Sequence, residues 1–167
     1  WILARCGANH CAQTDQDAIF KFNLDGNVVK SFGGGMFSFP HGFFLDHEGF
    51  LWVTEGAPAG DRREVEGLKR GLGHQVFKLD QDGNVVMTLG EAGVSGYGPQ
   101  HFNGPAGVVV APNGEIWVSD GHRDGNNRIV KFTPDGEFIL EVGGGVGSRS
   151  GDPGKFNDPH DITMDGQ

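Results

Sequence analysis

The chain has 167 residues, and its 22 acidic against 13 basic side chains give a formal net charge of −9. A field of this sign repels nucleic acid and anionic lipid, so we expect neither as a partner. Apolar residues make up 37% of the chain, which suffices for a packed core, and no stretch approaches the roughly 18 apolar residues of a membrane span.

The N-terminal segment begins in the middle of a repeated unit. Trp1 aligns with Trp52 of a later unit, where the tryptophan lies in a second strand, so Arg5 falls at the end of such a strand. Cys6 and Cys11 follow and are the only cysteines. Their spacing permits a disulfide that closes a small loop, which fits an oxidising compartment, and two unpaired thiols fit the sequence equally well.

A unit of four short strands recurs along the chain. Its second strand reads Leu-Trp-Val-Thr at 51–54 and Ile-Trp-Val-Ser at 116–119, and its last two strands are joined by an Asp-Gly turn. The turn glycine recurs after about 57 and then about 53 residues, a period typical of propeller blades. Asp-Gly steps supply the positive φ of tight hairpins, and helical periodicity is nearly absent. The sequence therefore predicts an all-β propeller.

The period divides this single domain into a partial blade (1–38), two full blades (39–103 and 104–157) and the start of a fourth (158–167). An open half-propeller exposes sheet edges, so we expect either a part of a longer chain or copies that associate to close the ring. The second blade contains a charged insertion at 57–73. We expect it at the channel mouth, either as a wall of the site or as a solvated loop.

Two histidines occupy equivalent positions in alternate blades. The residue that follows a recurrent proline is His41, then Ala106, then His160. If each proline begins an innermost strand, the two histidines lie about 120° apart in a six-bladed ring, and a third histidine two blades further on completes a three-fold set. Neutral imidazole suits zinc, and catalytic zinc keeps three protein ligands. The pattern predicts a metal at the mouth, whereas the alternative is a histidine that merely binds a backbone carbonyl.

Further polar side chains are predicted at the same mouth. The first two strands of a blade are antiparallel, so the start of one and the end of the other meet there. The residues expected beside the histidines are Arg5, Glu55, Asp120 and His122.

Several runs are more specific than the blade pattern. Pro-His recurs at alternate blades, and His-Gln-Val-Phe-Lys-Leu-Asp stands at 74–80. Together with the runs at 36–42, 51–54, 102–105, 118–121, 127–132 and 154–161, they resemble the peptidyl-α-hydroxyglycine α-amidating lyase family over essentially the whole chain. The resemblance implies a six-bladed propeller of the NHL-repeat type, of which this chain holds about three four-stranded blades.

The resemblance also implies chemistry. The family cleaves a C-terminal α-hydroxyglycine from a peptide and leaves a peptide amide and glyoxylate, with a catalytic zinc held by three histidines and a structural calcium in the channel. A peptide or small amide substrate and an extracellular or periplasmic location follow from it as expectations.

Site residues carry over one by one from the resemblance. His41 falls on the first zinc histidine and His160, by order, on the second, with the third expected beyond Gln167. The motif at 159–162 is also similar to the family's last histidine motif, whose aspartate helps hold calcium, so Asp161 is a calcium candidate. Phe43 would offer its backbone carbonyl to the same ion.

Two residues concern the reaction itself. Arg5 matches the active-site arginine, whose guanidinium can bind a substrate carboxylate in bidentate fashion. His122 stands where the family carries a tyrosine that takes part in deprotonating the substrate hydroxyl. An imidazole there can serve as a base, become a further metal ligand, or have no role.

Two other functions compete with the lyase. One is a non-catalytic NHL-repeat propeller that presents its mouth or its insertion to a protein or glycan. The other is a metal-dependent hydrolase of the lactonase type, which would ligate its metal through carboxylates such as Glu55 or Asp120.

Overall fold

A computed structural model describes residues 1–123, 125–144 and 152–165. The strands, in chain order, are β1 (Ile2–Leu3), β2 (Ile19–Phe22), β3 (Val28–Phe32), β4 (Pro40–Leu45), β5 (Leu51–Glu55), β6 (Val76–Leu79), β7 (Val85–Leu89), β8 (Pro105–Val110), β9 (Ile116–Asp120), β10 (Arg128–Phe132) and β11 (Phe138–Gly143). A helix, α1 (Arg62–Leu68), lies between β5 and β6. No helix in the described ranges is long and apolar enough to cross a membrane.

The strands form three antiparallel sheets in simple sequence order. They are β1-β2-β3, β4-β5-β6-β7 and β8-β9-β10-β11. The predicted Asp-Gly turns join the last two strands of each sheet, and Gly26, Gly83 and Gly136 all have φ between 81° and 91°. This is the left-handed region, which a glycine enters without steric cost. Each sheet lies within one of the predicted blades (1–38, 39–103 and 104–157). The residues at which each blade begins and ends stay a prediction.

Apolar side chains fill the two spaces between neighbouring sheets. β4 and β8 lie against each other along the inner edge. The core between the second and third sheets contains Trp52, Val76, Leu89, Phe102, Val108, Ile116, Val118, Val130 and Phe132. The core between the first and second contains Cys11, Ala18, Ile19, Phe37, Leu51, Val53, Phe77 and Leu79. Burial on both sheet faces explains why these strands are rich in apolar residues rather than strictly alternating.

The loop after β1 is closed by a disulfide between Cys6 and Cys11, the first of the two alternatives that the sequence left open. Cys11 is buried in the core between the first two sheets. The loop therefore returns the chain to the protein before β2 begins.

The insertion contains the helix α1, which the sequence did not predict. Asp61 caps it, because its carboxylate accepts the backbone N–H of Arg63. Within the insertion, Oε1 of Glu64 accepts a hydrogen bond from Nε2–H of His74, just beyond it, at 3.0 Å, and both side chains are buried. These contacts hold the insertion against the second sheet.

Residues 158–165, predicted as the opening strand of a fourth blade, have no strand conformation. A strand requires a hydrogen-bonded neighbour. Among the described residues, no strand pairs with this segment.

Candidate metal centre

Three histidines meet at one end of the inner strands. The ring centroids of His41, His122 and His160 lie 4.5, 4.7 and 4.9 Å apart. One nitrogen from each ring can be chosen so that all three lie within 4.8 Å of one another. The structure thus brings together the two histidines predicted as ligands and the one whose role the sequence left open.

A bulge in β4 directs His41 toward this point. The pairing of β4 with β5 shifts register between Pro40 and Phe43. The backbone N–H of Gly42, which lies within the bulge, donates to Thr54 Oγ1 at 2.7 Å. Bulges re-aim side chains and recur beside functional sites, so this irregularity places the imidazole at the mouth.

His122 is held by a tight turn after β9. The backbone N–H groups of Gly121 and His122 both donate to the carbonyl of Gly104. A side chain at Gly121 has no room, because a Cβ there would lie 2.4 Å from Cδ of Pro159. The close approach of Pro159 in turn brings the next residue, His160, to the cluster.

His160 lies on an exposed segment that is fixed at Asp158. The backbone N–H of Asp158 donates to Asn127 Oδ1 at 2.7 Å, and its carboxylate accepts the backbone N–H of Arg123 at 2.6 Å. These bonds join the segment to the loop that carries His122, which explains how a residue outside the named strands reaches the other two histidines.

Backbone carbonyls orient two of the rings. His41 Nδ1 lies 3.0 Å from the carbonyl oxygen of Ala106, and His122 Nδ1 lies 3.0 Å from that of Gly56. A carbonyl oxygen only accepts, so each Nδ1 must donate, and in the neutral ring Nε2 then keeps its lone pair. This arrangement is typical of metal-binding histidines.

Burial keeps the same two rings neutral. It is the main cause that lowers the pKa of His41 to about 4 and the pKa of His122 to about 4. Arg5 and His160 lower the pKa of His41 further, while His41 and His160 act on His122. Near neutral pH both are uncharged and able to ligate a metal. Together with His160, these two imidazoles form a donor set that fits zinc.

Arg5 lies close to the histidines, as the sequence predicted. Its guanidinium donates to the carbonyl of Pro40 and to Asn9 Oδ1, and it stacks over the Phe39 ring with 4.3 Å between the Cζ atom and the centroid. The Phe39 ring lies 5.6 Å from the ring of His41 and 5.7 Å from that of His122. Phe39, a contact that sequence reasoning did not identify, therefore packs against both the guanidinium and two of the imidazoles.

The two calcium candidates line one cavity with the histidines. Phe43 and Asp161 border a space of about 490 Å³ that His41 and His160 also border. One carboxylate oxygen of Asp161 accepts the backbone N–H of Ile162 at 2.8 Å.

The two remaining carboxylates bind groups of the protein itself. Glu55 accepts the N–H groups of Ser38 and Phe39 at 2.8 and 3.2 Å, and it is fully buried. Asp120, at the equivalent place of the next sheet, accepts from Asn103 and is paired with Arg128 at 3.0 Å. Both side chains fasten the segment that leads into an inner strand.

Comparisons with known proteins agree with this architecture. A family model described as the NHL repeat matches residues 102–132. The chain is 35% identical over 138 residues to the probable peptidyl-alpha-hydroxyglycine alpha-amidating lyase pgal-1 of Caenorhabditis elegans, which spans 82% of this chain and 34% of that protein. It is 37% identical over 139 residues to peptidyl-glycine alpha-amidating monooxygenase A of Xenopus laevis, across 82% and 13% of the two chains.

Other similar proteins have different names. The chain is 32% identical over 152 residues to mouse NHL repeat-containing protein 3, across 88% of this chain and 39% of that protein. A crystal structure of a Bacteroides thetaiotaomicron protein of unknown function aligns with a TM-score of 0.56 and 18% identity, over 91% of this chain and 38% of that one, and shows the fold alone.

The chain spans about a third of the length of the nematode lyase that it matches. The matches confirm two predictions made from the sequence: the chain folds as blades of an NHL-repeat β-propeller, and it resembles the peptidyl-α-hydroxyglycine α-amidating lyase family.

Proposed function

We propose that this chain forms the zinc-binding part of a lyase that cleaves C-terminal α-hydroxyglycine peptides to a peptide amide and glyoxylate. His41, His122 and His160 are the zinc ligands. The observation that carries the proposal is that the three rings meet at one point. Nδ1–H of His41 and of His122 each donates to a backbone carbonyl, so that Nε2 of each ring is left for the metal. The printed names of the nematode and frog relatives support the reaction.

His122 is a ligand in this proposal rather than a base. Its Nδ1 donates to the carbonyl of Gly56, the residue is 4% exposed, and its ring lies 4.5 Å from that of His41 and 4.7 Å from that of His160. An imidazole that ligates through Nε2 and donates through Nδ1 has no site left for a substrate proton. The proton of the substrate hydroxyl must therefore pass to another acceptor, in contrast to the tyrosine expected from the family resemblance.

The remaining residues bind and position the substrate. Bound zinc would supply a Lewis acid that lowers the pKa of a coordinated hydroxyl. Arg5, fixed by Pro40 and Asn9, presents the rest of its guanidinium to the substrate carboxylate. The Phe39 ring packs against this cation and against the rings of His41 and His122, so it helps to position both. Calcium, if bound, would take the Phe43 carbonyl and Asp161 as hard oxygen ligands.

Zinc content and glyoxylate release test the proposal together. After zinc loading, the protein should contain one zinc per chain and should release glyoxylate from a peptide that ends in α-hydroxyglycine. Substituting alanine for any one of the three histidines should abolish both the zinc binding and the glyoxylate release. His47→Ala, in an exposed turn, is the control that keeps both. A His122→Ala protein that retains one tightly bound zinc would contradict the role given to His122.

The lactonase alternative has less support, because Glu55 and Asp120 already bind donors of the protein. The non-catalytic alternative predicts no stoichiometric zinc, so the same metal measurement decides it. The disulfide supports an extracellular or periplasmic location. Closure of the ring, by further blades or by a second copy, stays a prediction that the solution mass tests.

A further inference from the structure

A second cavity, of about 540 Å³, lies beside the metal centre and is rich in arginine. Its walls come from the disulfide loop, from the beginning of the insertion and from the loop after β9. The residues that line it are Ala8, Asn9, His10, Gln13, Asp61, Arg62, Arg63 and Arg123.

Guanidinium groups outnumber carboxylates in the lining of this cavity. Among the described residues that line it, Asp61 is the one carboxylate against three guanidinium groups. It binds Arg63 through two contacts of 2.6 and 2.7 Å, and Arg123 approaches it at 3.5 Å. Arg62 is exposed, and Arg5 lies nearby. In a chain of net charge −9, this excess of cations stands out as a local site for an anion.

The cations also repel one another. The pKa of Arg5 is lowered first by burial and then by the charges of Arg63 and Arg123. A bound anion would relieve this repulsion. Guanidinium groups recognise carboxylates well, because their planar fork matches the two oxygens.

The Phe39 ring contacts residues of both the arginine cavity and the metal centre. The Cζ atom of Arg63 lies 3.8 Å from the centroid of this ring, and that of Arg5 lies 4.3 Å from it. The ring of His122 is 5.7 Å from the same centroid, and Arg123 is the next residue along the chain. A single ligand that reaches the histidines is therefore close enough to reach the cavity as well.

One residue that lines this cavity also has an unpaired polar atom. His10 Nδ1 is buried and has no hydrogen-bond partner among the described residues, although His10 lines the cavity. A buried polar atom without a partner is costly, so a polar ligand or water is expected there. This observation is independent of the arginines.

We propose that this cavity binds the carboxylate side chain of an acidic residue near the C-terminus of the peptide substrate. The terminal carboxylate would occupy Arg5, while the acidic side chain would bind the exposed guanidinium groups of Arg62 and Arg123. Arg63 is less available, because Asp61 contacts it at 2.6 Å and contacts Arg123 only at 3.5 Å. The identity of the ligand as a peptide rests on the proposed function, but binding of the second carboxylate does not require the lyase reaction.

Binding of uncleavable peptides tests the proposal. The probes are acetylated peptides that end in glycine, with glutamate either one or two positions before it, and their glutamine counterparts. Calorimetry on the zinc-loaded chain should give at least one glutamate peptide an affinity about tenfold higher than its counterpart, the size expected for a charge-assisted contact. Arg123→Gln should remove this preference, while Lys69→Gln, on the same insertion but outside the cavity, should keep it.

The outcomes separate this inference from the proposed function. Equal affinities for the glutamate and glutamine peptides, or a preference that survives in Arg123→Gln, overturn the inference even if glyoxylate is released. A preference for glutamate that Arg123→Gln abolishes supports the anion site in this cavity. If no glyoxylate is released in that case, the proposed lyase reaction is rejected and the anion site is kept.

Discussion

At the scale of single residues, the position of each imidazole depends on small neighbours and backbone acceptors. His41 needs the carbonyl of Ala106 and the absence of a side chain at Gly56. The sequence identified His41 and His160 because a proline precedes both in equivalent blades. It left the role of His122 open, since a histidine after Asp-Gly has no pattern of its own, and only the turn onto Gly104 brings its ring to the others.

Gly56→Ala should weaken zinc binding. A Cβ at Gly56 would lie 2.6 Å from Cβ of His41, so the histidine must move. We expect a loss of about 10–100-fold in zinc affinity, the range found when the support of a ligand is removed. Gly96→Ala is the matched control, because its added methyl group would meet only His101, at 3.2 Å. Competition with a chromophoric chelator measures both, and an unchanged affinity in Gly56→Ala would contradict the geometry.

Glu55 should make stability depend on pH. Burial raises its pKa from 4.5 to about 8, although the N–H groups of Ser38 and Phe39 pull it down. Between pH 4.5 and about pH 8, Glu55 of the folded chain keeps a proton that it releases in the unfolded chain. The free energy of unfolding therefore falls as the pH rises through this range. Urea unfolding at pH 5 and pH 8 should show a smaller fall in Glu55→Gln than in the original chain. An equal fall in both proteins would rule out this assignment.

At the scale of elements, the sequence predicted the strands well and the insertion poorly. Strands such as β5 and β9 are buried repeats of one another bounded by turn residues, and such signals are strong. The helix α1 was missed because its seven residues span only two turns and are stabilised by contacts distant in sequence. One of them is the bond from Ser38 Oγ to the carbonyl of Arg63.

Glu64→Ala should loosen the insertion. Its carboxylate contacts the fully buried His74 and accepts the backbone N–H of Gly60. Removing it leaves a buried imidazole without that partner, and a cost of about 1–3 kcal/mol in unfolding free energy is expected. The same change at Glu66, whose partner Lys69 is exposed, should have a much smaller effect on the unfolding free energy. Faster proteolysis of Glu64→Ala within 57–73 would locate the effect, and equal stability of the two variants would argue against it.

At the scale of the whole molecule, the three histidines join parts that are distant in the chain. His41 belongs to the second sheet, His122 to the turn after a strand of the third, and His160 to the segment beyond it. The blade period could be read from the sequence, because each blade repeats the same turns. The distance between two blades across the mouth could not, since it depends on how the sheets pack.

Removal of zinc should therefore lower the stability of the molecule as a whole. A ligand present at 100 times its dissociation constant stabilises the folded state by about 2.7 kcal/mol. Thermal unfolding with zinc and with excess chelator should differ by the corresponding shift in Tm, and in His41→Ala the difference should vanish. The same shift in both proteins would mean that zinc acts elsewhere.

The bulge that directs His41 has a counterpart in β8, where the register shifts between Pro105 and Gly107. There the equivalent residue is Ala106, which is fully buried. Its carbonyl accepts hydrogen bonds from Nδ1–H of His41 and from Oγ1–H of Thr54. A large side chain at this place would displace the acceptor on which its neighbour depends. The alternation between blades is thus a packing requirement. A histidine can follow the proline in every second blade only because Ala106, at the equivalent position of the blade between them, has a small side chain.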